Sequence, residues 1–111
     1  MDNKKDDLYY AEAAIEQIDI IRDYIGNMSY EEFVNDMKSV DAVMFRLVQM
    51  VENVKNISPE FKEKNPYIPW GKIIGFRNGI VHDYQKTDYS IVYEVAVENL
   101  LPLKNVLENI L

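Results

Sequence analysis

The sequence predicts an all-α fold, an up-and-down bundle of four main helices with short helices between them. Apolar residues recur at intervals of three and four along most of the 111-residue chain, which is the spacing of one helix face. No stretch shows the sustained polar–apolar alternation of a half-buried strand. The four glycines and four prolines fall mostly between the periodic stretches, where they separate helices. A chain of this length is expected to form a single domain, residues 1–111.

The first predicted helix runs from Asp7 to Ile25. Gly26-Asn27 should end it, because glycine readily adopts the left-handed backbone conformation that closes many helices. The residues expected on the inner face of this helix are Leu8, Ala11, Ile15, Ile18, Ile21 and Ile25.

A short second helix and a long third helix should follow. Ser29 and Glu32 have the spacing of a capping box, in which each side chain accepts a hydrogen bond from the other residue's backbone N–H. Phe33 is the apolar anchor of the short helix, and Ser39 is the expected N-cap of the third helix. The inner face of the third helix should consist of Val40, Val43, Met44, Leu47, Met50, Val51 and Val54.

A connector with two prolines should separate a single helical turn from the next long helix. Ser58 followed by Pro59 has the pattern of an N-cap with proline at the first helical position. Residues 65–69 are expected to be extended, because a residue before proline avoids the α region. Trp70 should then start a helix that ends near residues 82–84. The residues predicted to face inward from it are Ile73, Ile74, Ile80 and Val81.

The last predicted helix begins after Asp88, whose carboxylate can accept hydrogen bonds from the first free N–H groups. Pro102 lies within this helix and should kink or split it, because proline has no N–H and its ring clashes with the preceding turn. The apolar residues expected to face inward are Ile91, Val92, Val95, Leu100, Leu103, Val106, Leu107 and Ile110.

The composition narrows the classes of function. The net charge of −7 argues against broad, nonspecific nucleic-acid binding but leaves room for a small RNA site. With no cysteine and one histidine, a zinc site would be unusual, and we expect no metal. The sequence shows neither a secretory signal nor an apolar run of membrane-spanning length. We therefore expect a cytoplasmic protein without membrane contact.

The segment that can carry chemistry is Arg77-Asn78-Gly79-Ile80-Val81-His82-Asp83-Tyr84, which contains the only histidine of the chain. Histidine can act as an acid or base near neutral pH, and arginine can bind phosphate through paired N–H donors. His82 and Arg77 could therefore cleave an RNA phosphodiester, with Asn78 orienting the phosphate or the imidazole. The reaction needs no metal or other cofactor. The plainer interpretation is a histidine that caps a helix or is satisfied within the core.

On an ideal helix Arg77 and His82 do not share a face. They lie about 140° apart around the axis and about 7.5 Å apart along it, whereas Asn78 and His82 lie one turn apart on the same face. The arginine side chain could curl back, with the helix loosened at Gly79. Alternatively, two copies could meet across a two-fold axis and bring both sets of side chains into one cleft. We favour the homodimer, because one copy alone provides few groups for catalysis.

The positions of Arg77, His82 and Tyr84 fit the pattern Arg-x4-His-x-Tyr. This pattern, together with other short motifs in order along nearly the whole chain, resembles the HepT family of HEPN-domain toxins. The other matching positions are Asp41-Ala42-Val43, Glu52 and Pro66-Tyr67-Ile68-Pro69-Trp70.

The resemblance implies a homodimeric HEPN bundle with metal-independent endoribonuclease activity, the toxin of a toxin–antitoxin pair. In the family the arginine and histidine are catalytic and the next polar residue assists, which implies these roles for Arg77, His82 and Asn78. The implied partner is an antitoxin of the MntA type, a minimal nucleotidyltransferase that transfers AMP from ATP to the motif tyrosine, here Tyr84. The bulky anionic adduct would silence the nuclease. Glu52 is either a partner of Arg77 or a solvated helix residue, and we favour the partner because a partly buried arginine would need one.

The chain also departs from the family pattern. Val51 and Asn53 stand where small residues usually flank the glutamate of the third helix, and Tyr9-Tyr10 stands where many members have a basic residue. These differences leave the predicted fold unchanged but weaken the transfer of RNA-binding detail. The alternative to a nuclease is a noncatalytic helical partner of a nucleotidyltransferase.

Overall fold

The computed structural model describes residues 6–111, and every regular element in that range is helical, which confirms the all-α prediction. A π-helical turn, Val95–Asn99, joins the last two α-helices into one C-terminal helix, and 3-10 turns cover Tyr84–Lys86 and Glu108–Ile110. The α-helices are α1 (Asp7–Ile25), α2 (Tyr30–Val34), α3 (Met37–Lys55), α4 (Pro59–Lys64), α5 (Trp70–His82), α6 (Tyr89–Glu94) and α7 (Leu100–Leu107). The four main helices are α1, α3, α5 and this C-terminal helix.

The predicted ends of α1 are confirmed. Asp6 caps the first turn by accepting a hydrogen bond from the backbone N–H of Tyr9, and Gly26 ends the helix with a φ of +51°. Leu8, predicted to face inward, is instead 44% exposed. It lies in the first turn, beyond the apolar cluster that the later turns of α1 cover.

The capping box that opens α2 is present as predicted. The Ser29 hydroxyl accepts a hydrogen bond from the Glu32 backbone N–H at 3.1 Å, and the Glu32 carboxylate accepts one from the Ser29 N–H at 2.9 Å. Phe33 is fully buried. The box satisfies backbone N–H groups that a helix of only five residues would otherwise leave free.

The N-cap of α3 was predicted at Ser39, and this prediction is wrong. The helix begins at Met37 after the cap residue Asp36. The Asp36 carboxylate accepts hydrogen bonds from both the backbone N–H and the hydroxyl of Ser39, the latter at 2.9 Å. Asp36 and Ser39 could each cap the start of α3. The Asp36 carboxylate has two acceptor oxygens and can therefore accept both hydrogen bonds at once. The predicted inner face of α3 is buried throughout.

The connector between α4 and α5 is a turn rather than the predicted extended segment. The backbone N–H of Ile68 donates to the carbonyl of Asn65 at 3.2 Å. The indole N–H of Trp70 lies within 3.1 Å of the Lys62 carbonyl and 3.0 Å of the Asn65 carbonyl. This side chain therefore satisfies carbonyl groups at the end of α4 and folds the chain back at the start of α5.

The inner face of α5 is narrower than predicted. Ile73 and Ile80 are buried, but Val81 is 51% exposed. Val81 lies about 100° around the axis from Ile80, so it is turned away from the core. It lies at the edge of the contact between α5 and α3.

The C-terminal helix begins after Asp88 as predicted, with the carboxylate accepting a hydrogen bond from the Ser90 N–H at 2.9 Å. The predicted disturbance at Pro102 takes the form of the π turn just before it. Proline cannot donate to the carbonyl of Glu98, which lies within that turn. Ile91, predicted to face inward, is 38% exposed because it lies at the outer edge of the first turn.

The main helices form the predicted up-and-down arrangement. Asp7 at the start of α1 accepts hydrogen bonds from Ser58, which follows the end of α3, so these helices are antiparallel. On the other side of α1, Lys104 of α7 pairs with Asp19 at 2.8 Å. Their inner faces meet in one apolar cluster, which contains Ile18, Leu47, Ile73 and Leu103 among other buried residues.

Candidate active site

The motif segment lies where the second half of α5 packs against α3. Arg77, Asn78 and His82 belong to α5, and Tyr84 begins the 3-10 turn that follows it. Arg77 pairs with Glu52 of α3, and the later residue Tyr84 contacts Asp41, which comes earlier on α3. The two helices are therefore antiparallel, and α3 can hold the motif segment at more than one point.

Arg77 is turned toward α3 and pairs with Glu52. Its Nε lies 2.7 Å from the Glu52 Oε2, and the side chains are 27% and 41% exposed. Both atoms are shielded from solvent, and the pair is held by charge and proximity rather than by a well-aligned hydrogen bond. The Nη1 group donates to the Asn78 Oδ1 at 3.2 Å. Glu52 therefore fixes the inner side of the guanidinium and leaves its terminal nitrogens on the outer side.

His82 is the last residue of α5 and is exposed. Within residues 6–111 its side chain takes part in no hydrogen bond or ion pair, so it is not a histidine satisfied within the core. Asn78 is exposed one turn earlier on the same face. The structure thus brings Arg77 and Asn78 together and aligns Asn78 with His82, but it does not bring Arg77 to His82 within one protomer.

Tyr84 extends back to the first half of α3. Its hydroxyl donates a hydrogen bond to the Asp41 Oδ1. This hydrogen bond, together with partial burial and the negative charge of the carboxylate, raises the pKa of Tyr84 to about 12. The side chain is nevertheless 41% exposed. Tyr84 is therefore both accessible from solvent and attached to another helix.

An apolar groove of about 380 Å³ lies between α3 and α5, next to Tyr84. Its floor includes Met44 and Ile80, which are buried, and its rim includes Phe45 and Val81. Phe45 is 59% exposed and Val81 is 51% exposed. Large apolar side chains left exposed side by side commonly mark a contact surface.

Several basic residues near the motif have partners within one protomer. Lys72 pairs with Glu94 at 3.0 Å, and Arg77 pairs with Glu52. The ammonium group of Lys62 donates to a backbone carbonyl, and burial lowers the pKa of this group. Lys86 is 85% exposed and lies 3.9 Å from Asp83, so it is a loosely paired cation that an RNA strand near His82 could contact.

Two further findings bear on the site. Among residues 6–111, the structure has no group of three or more histidine or carboxylate side chains suited to hold a metal ion. In the same range, none of the helices combines the length and apolar character that crossing a bilayer requires.

The contact between Asp41 and Tyr84 is the feature of the site that the sequence interpretation missed. Asp41 was noted as part of a motif, but no partner was assigned to it. The antiparallel register of α3 and α5 is the signal that could have indicated this contact. If Glu52 pairs with Arg77, residues that follow Arg77 lie opposite residues that precede Glu52. That register is known only once the helices are packed.

Comparison with known proteins gives a consistent result. A family model described as "Ribonuclease HepT-like" matches residues 14–110. A protein of Caldanaerobacter subterraneus subsp. tengcongensis, named as a candidate RNase, is 29% identical over 92% of this chain and 91% of its own length.

Two archaeal proteins are also similar. One from Methanocaldococcus jannaschii, again named as a candidate RNase, is 34% identical over 87% of this chain and 80% of its own length. The "Probable ribonuclease HepT" of Thermococcus cleftensis is 30% identical over 91% of this chain and 92% of its own length. No solved structure gives a significant match.

Proposed function

The chain belongs to the HepT-like ribonuclease family, an enzyme class that cleaves RNA, and we propose that it is a metal-independent endoribonuclease with His82 and Arg77 as catalytic residues. The observation that carries the proposal is the state of His82. Its side chain is exposed, has no hydrogen-bond or ion-pair partner among residues 6–111, and lies on one face with Asn78, whose neighbour Arg77 is fixed by Glu52. An unpaired imidazole is suited to acid–base chemistry on a phosphodiester, and a fixed arginine can stabilise the negative charge that develops there.

In the proposed reaction the 2′-hydroxyl of the RNA attacks the adjacent phosphorus. The new bond joins the 2′-oxygen to phosphorus, and the bond from phosphorus to the 5′-oxygen breaks, which leaves a 2′,3′-cyclic phosphate and a 5′-hydroxyl. His82 takes the proton of the 2′-hydroxyl or gives one to the departing 5′-oxygen. Arg77 stabilises the extra negative charge on the phosphorane, and Asn78 orients the phosphate.

We propose that the complete site forms in a homodimer. Arg77 faces α3 and His82 faces outward, about 140° around the helix, so one protomer does not direct both groups at one phosphate. The exposed side chains of Phe45 and Val81 provide an apolar surface beside the motif for a second copy. Two copies related by a two-fold axis would place the His82 of one near the Arg77 of the other.

We also propose that the protein is the toxin of a cytoplasmic toxin–antitoxin pair, silenced when an MntA-type nucleotidyltransferase transfers AMP to Tyr84. Tyr84 is 41% exposed in a single protomer, which supports access by such an enzyme to this form. An added AMP group is bulky and anionic, and it would lie two residues from His82. It would therefore block the cleft and repel RNA phosphate.

The proposal is tested by incubating a fluorescent single-stranded RNA with the purified protein in EDTA. The wild type should produce fragments that end in 2′,3′-cyclic phosphate, and His82→Ala and His82→Asn should be inactive. Gln85→Ala, an exposed change on the adjacent turn, should cleave as the wild type does. Cleavage by His82→Ala at the wild-type rate would contradict the assigned role. An inert wild type that binds a nucleotidyltransferase stably would instead support a noncatalytic helical partner.

The role of Tyr84 has its own test. Incubation with ATP and a cognate nucleotidyltransferase should add AMP to a peptide that contains Tyr84, as detected by mass spectrometry, and should abolish RNA cleavage. Tyr84→Phe should not be modified. Adducts found only on other tyrosines, such as the exposed Tyr67, would show that the assignment is wrong.

A further inference from the structure

We propose that Asp41 is a positioning residue for RNA cleavage, which acts through Tyr84 to hold the end of α5 that carries His82. The inference rests on the proposed function of His82. Asp41 lies on α3, a different helix from the one that carries His82, and it does not touch the RNA. The relevant contact is the hydrogen bond that the Tyr84 hydroxyl donates to the Asp41 carboxylate, named here the Asp41–Tyr84 link.

No side-chain contact of its own fixes the position of His82 within the described chain. Its side chain has no hydrogen bond or ion pair within the described chain, and it occupies the last residue of α5, where helices fray most readily. The following residue, Asp83, makes no side-chain capping hydrogen bond to the 3-10 turn that it precedes, and its backbone N–H bonds back to Gly79 at 3.1 Å. The position of the imidazole therefore depends on how the backbone around it is anchored.

Helix α3 anchors this part of the chain by polar contacts on both sides of His82. The Glu52–Arg77 pair lies five residues before it, and the Asp41–Tyr84 link lies two residues after it. The two anchors on α3 are about 16 Å apart along that helix. The Asp41–Tyr84 link is thus the contact that resists loosening of the final turn of α5.

The turn beside the link adds little to this anchoring. This 3-10 turn is closed by a backbone hydrogen bond from Lys86 to Asp83 at 3.1 Å, and the Lys86 side chain is 85% exposed. That turn therefore adds no second side-chain bond to α3. Tyr84 also lines the groove beside Val81, which it shares with Met44 and Phe45 of α3.

The link also explains how modification could act on the site. A tyrosine with AMP on its oxygen has no hydroxyl proton to donate, so the hydrogen bond to Asp41 is lost. The phosphodiester brings a negative charge close to the carboxylate, and the two like charges repel. Modification of Tyr84 would then release the end of α5, in addition to occupying the cleft.

The test compares Asp41→Ala, Tyr84→Phe and the double variant in RNA cleavage. Each single variant should lower kcat about 10-fold or more, because small misplacements of a catalytic group are costly, and should leave KM nearly unchanged. The double variant should be no worse than either single one, because both remove the same link. Asp41→Asn keeps an acceptor oxygen and should retain more activity than Asp41→Ala. Equal losses in Asp41→Asn and Asp41→Ala, or additive losses in the double variant, would overturn the proposal.

A second measurement does not depend on activity. Hydrogen exchange of the amides of residues 82–86 should be faster in Asp41→Ala and Tyr84→Phe, whereas the rest of α5 should exchange as in the wild type. Asp19→Asn, which removes a comparable acidic partner from the Lys104 pair, is the matched control and should change neither exchange at 82–86 nor kcat.

The outcomes separate this inference from the function on which it rests. Faster exchange at residues 82–86 without loss of kcat, or loss of kcat without faster exchange, would show that Asp41 does not position His82. If His82→Ala cleaves as the wild type does, the proposed function fails, and the exchange experiment alone decides whether the link holds the end of α5.

Discussion

At the scale of single residues, the guanidinium of Arg77 makes polar contacts through two of its nitrogens. Glu52 contacts Nε, and Nη1 donates to Asn78. A lysine has a single charged nitrogen and cannot reproduce both contacts. Arginine at this position is therefore required by the geometry of the pair and not only by its charge.

We accordingly expect Arg77→Lys to lower kcat for RNA cleavage by about 100-fold or more, the usual loss when one fixed donor to the transition state is removed. Arg22→Lys, an exposed arginine on α1, is the matched control and should cleave normally. Steady-state kinetics on the same fluorescent RNA measure both. Full activity in Arg77→Lys would mean that only the charge matters.

Tyr84 gives a prediction about alkaline pH. Its pKa is raised to about 12 from an ordinary value of 10.0. A group with a raised pKa stabilises the fold fully below its ordinary value and loses that contribution as pH rises through the raised one. The free energy of unfolding in urea should therefore fall more steeply between about pH 10 and pH 12 in the wild type than in Tyr84→Phe.

Tyr67→Phe serves as the control for that titration, because Tyr67 is 70% exposed and its hydroxyl contacts only the nearby Asn65 in the described structure. It should follow the wild-type curve. If Tyr84→Phe and the wild type lose stability in parallel over this range, the Asp41–Tyr84 link does not form in solution.

The sequence indicated single-residue roles where chemistry alone was informative. A partner for Arg77 could be anticipated because a shielded positive charge needs compensation, and Glu52 is that partner in the structure. The partner of Tyr84 could not be anticipated. Asp41 lies 43 positions away in sequence, and the contact depends on the relative register of two packed helices.

At the scale of helices, two glycines should respond in opposite ways to the same substitution. Gly26 has a φ of +51°, where an L-residue is strained, so Gly26→Ala should destabilise the fold by about 1 kcal/mol. Gly75 lies within α5, and an added Cβ would meet nothing within 4 Å. Gly75→Ala should stabilise the fold by about 0.5–1 kcal/mol, because alanine forms helix better.

Urea unfolding followed by circular dichroism measures both variants. Two changes of the same sign would contradict the backbone conformation described for the end of α1 or the open surroundings of Gly75. Each variant is the control for the other, because both add one methyl group to the protein.

Helix ends could be predicted where one local signal was unopposed. Gly26 at the end of α1, the Ser29–Glu32 capping box and the Ser58 cap are all found as predicted. The start of α3 was wrong because Asp36 and Ser39 are both good caps. The connector at residues 65–69 was wrong because the indole of Trp70 decides its shape, and this contact is not local.

At the scale of the whole molecule, the proposed dimer gives the sharpest prediction. Phe45→Glu and Val81→Glu place a charge on the exposed apolar surface between α3 and α5, so both should shift the protein to monomer and abolish cleavage. Leu101→Glu, a 42% exposed position on α7, should remain dimeric and active. Sedimentation equilibrium measures the association state.

Wild-type protein that sediments as a monomer and still cleaves RNA would contradict the composite site. A Phe45→Glu variant that remains dimeric would instead move the interface to another surface.

The fold class could be predicted because apolar periodicity extends through nearly the whole chain. The contact surface could not be predicted, because periodicity identifies apolar residues without showing which of them remain uncovered. Phe45 lies on the amphipathic helix α3 and Val81 was expected in the core, yet both are exposed side by side. Only the packed helices distinguish a core residue from one that is free to contact a second chain.

The position of Trp70 has a practical consequence for spectroscopy. It is the only tryptophan of the chain, and its indole contacts Phe61 and two carbonyl groups at the junction of α4 and α5. Its Cα lies about 18 Å along the helix from that of His82. Intrinsic fluorescence excited at the red edge should therefore report the opening of this junction and remain insensitive to events around the histidine. The protein thus contains its own optical probe of folding, separate from its chemistry.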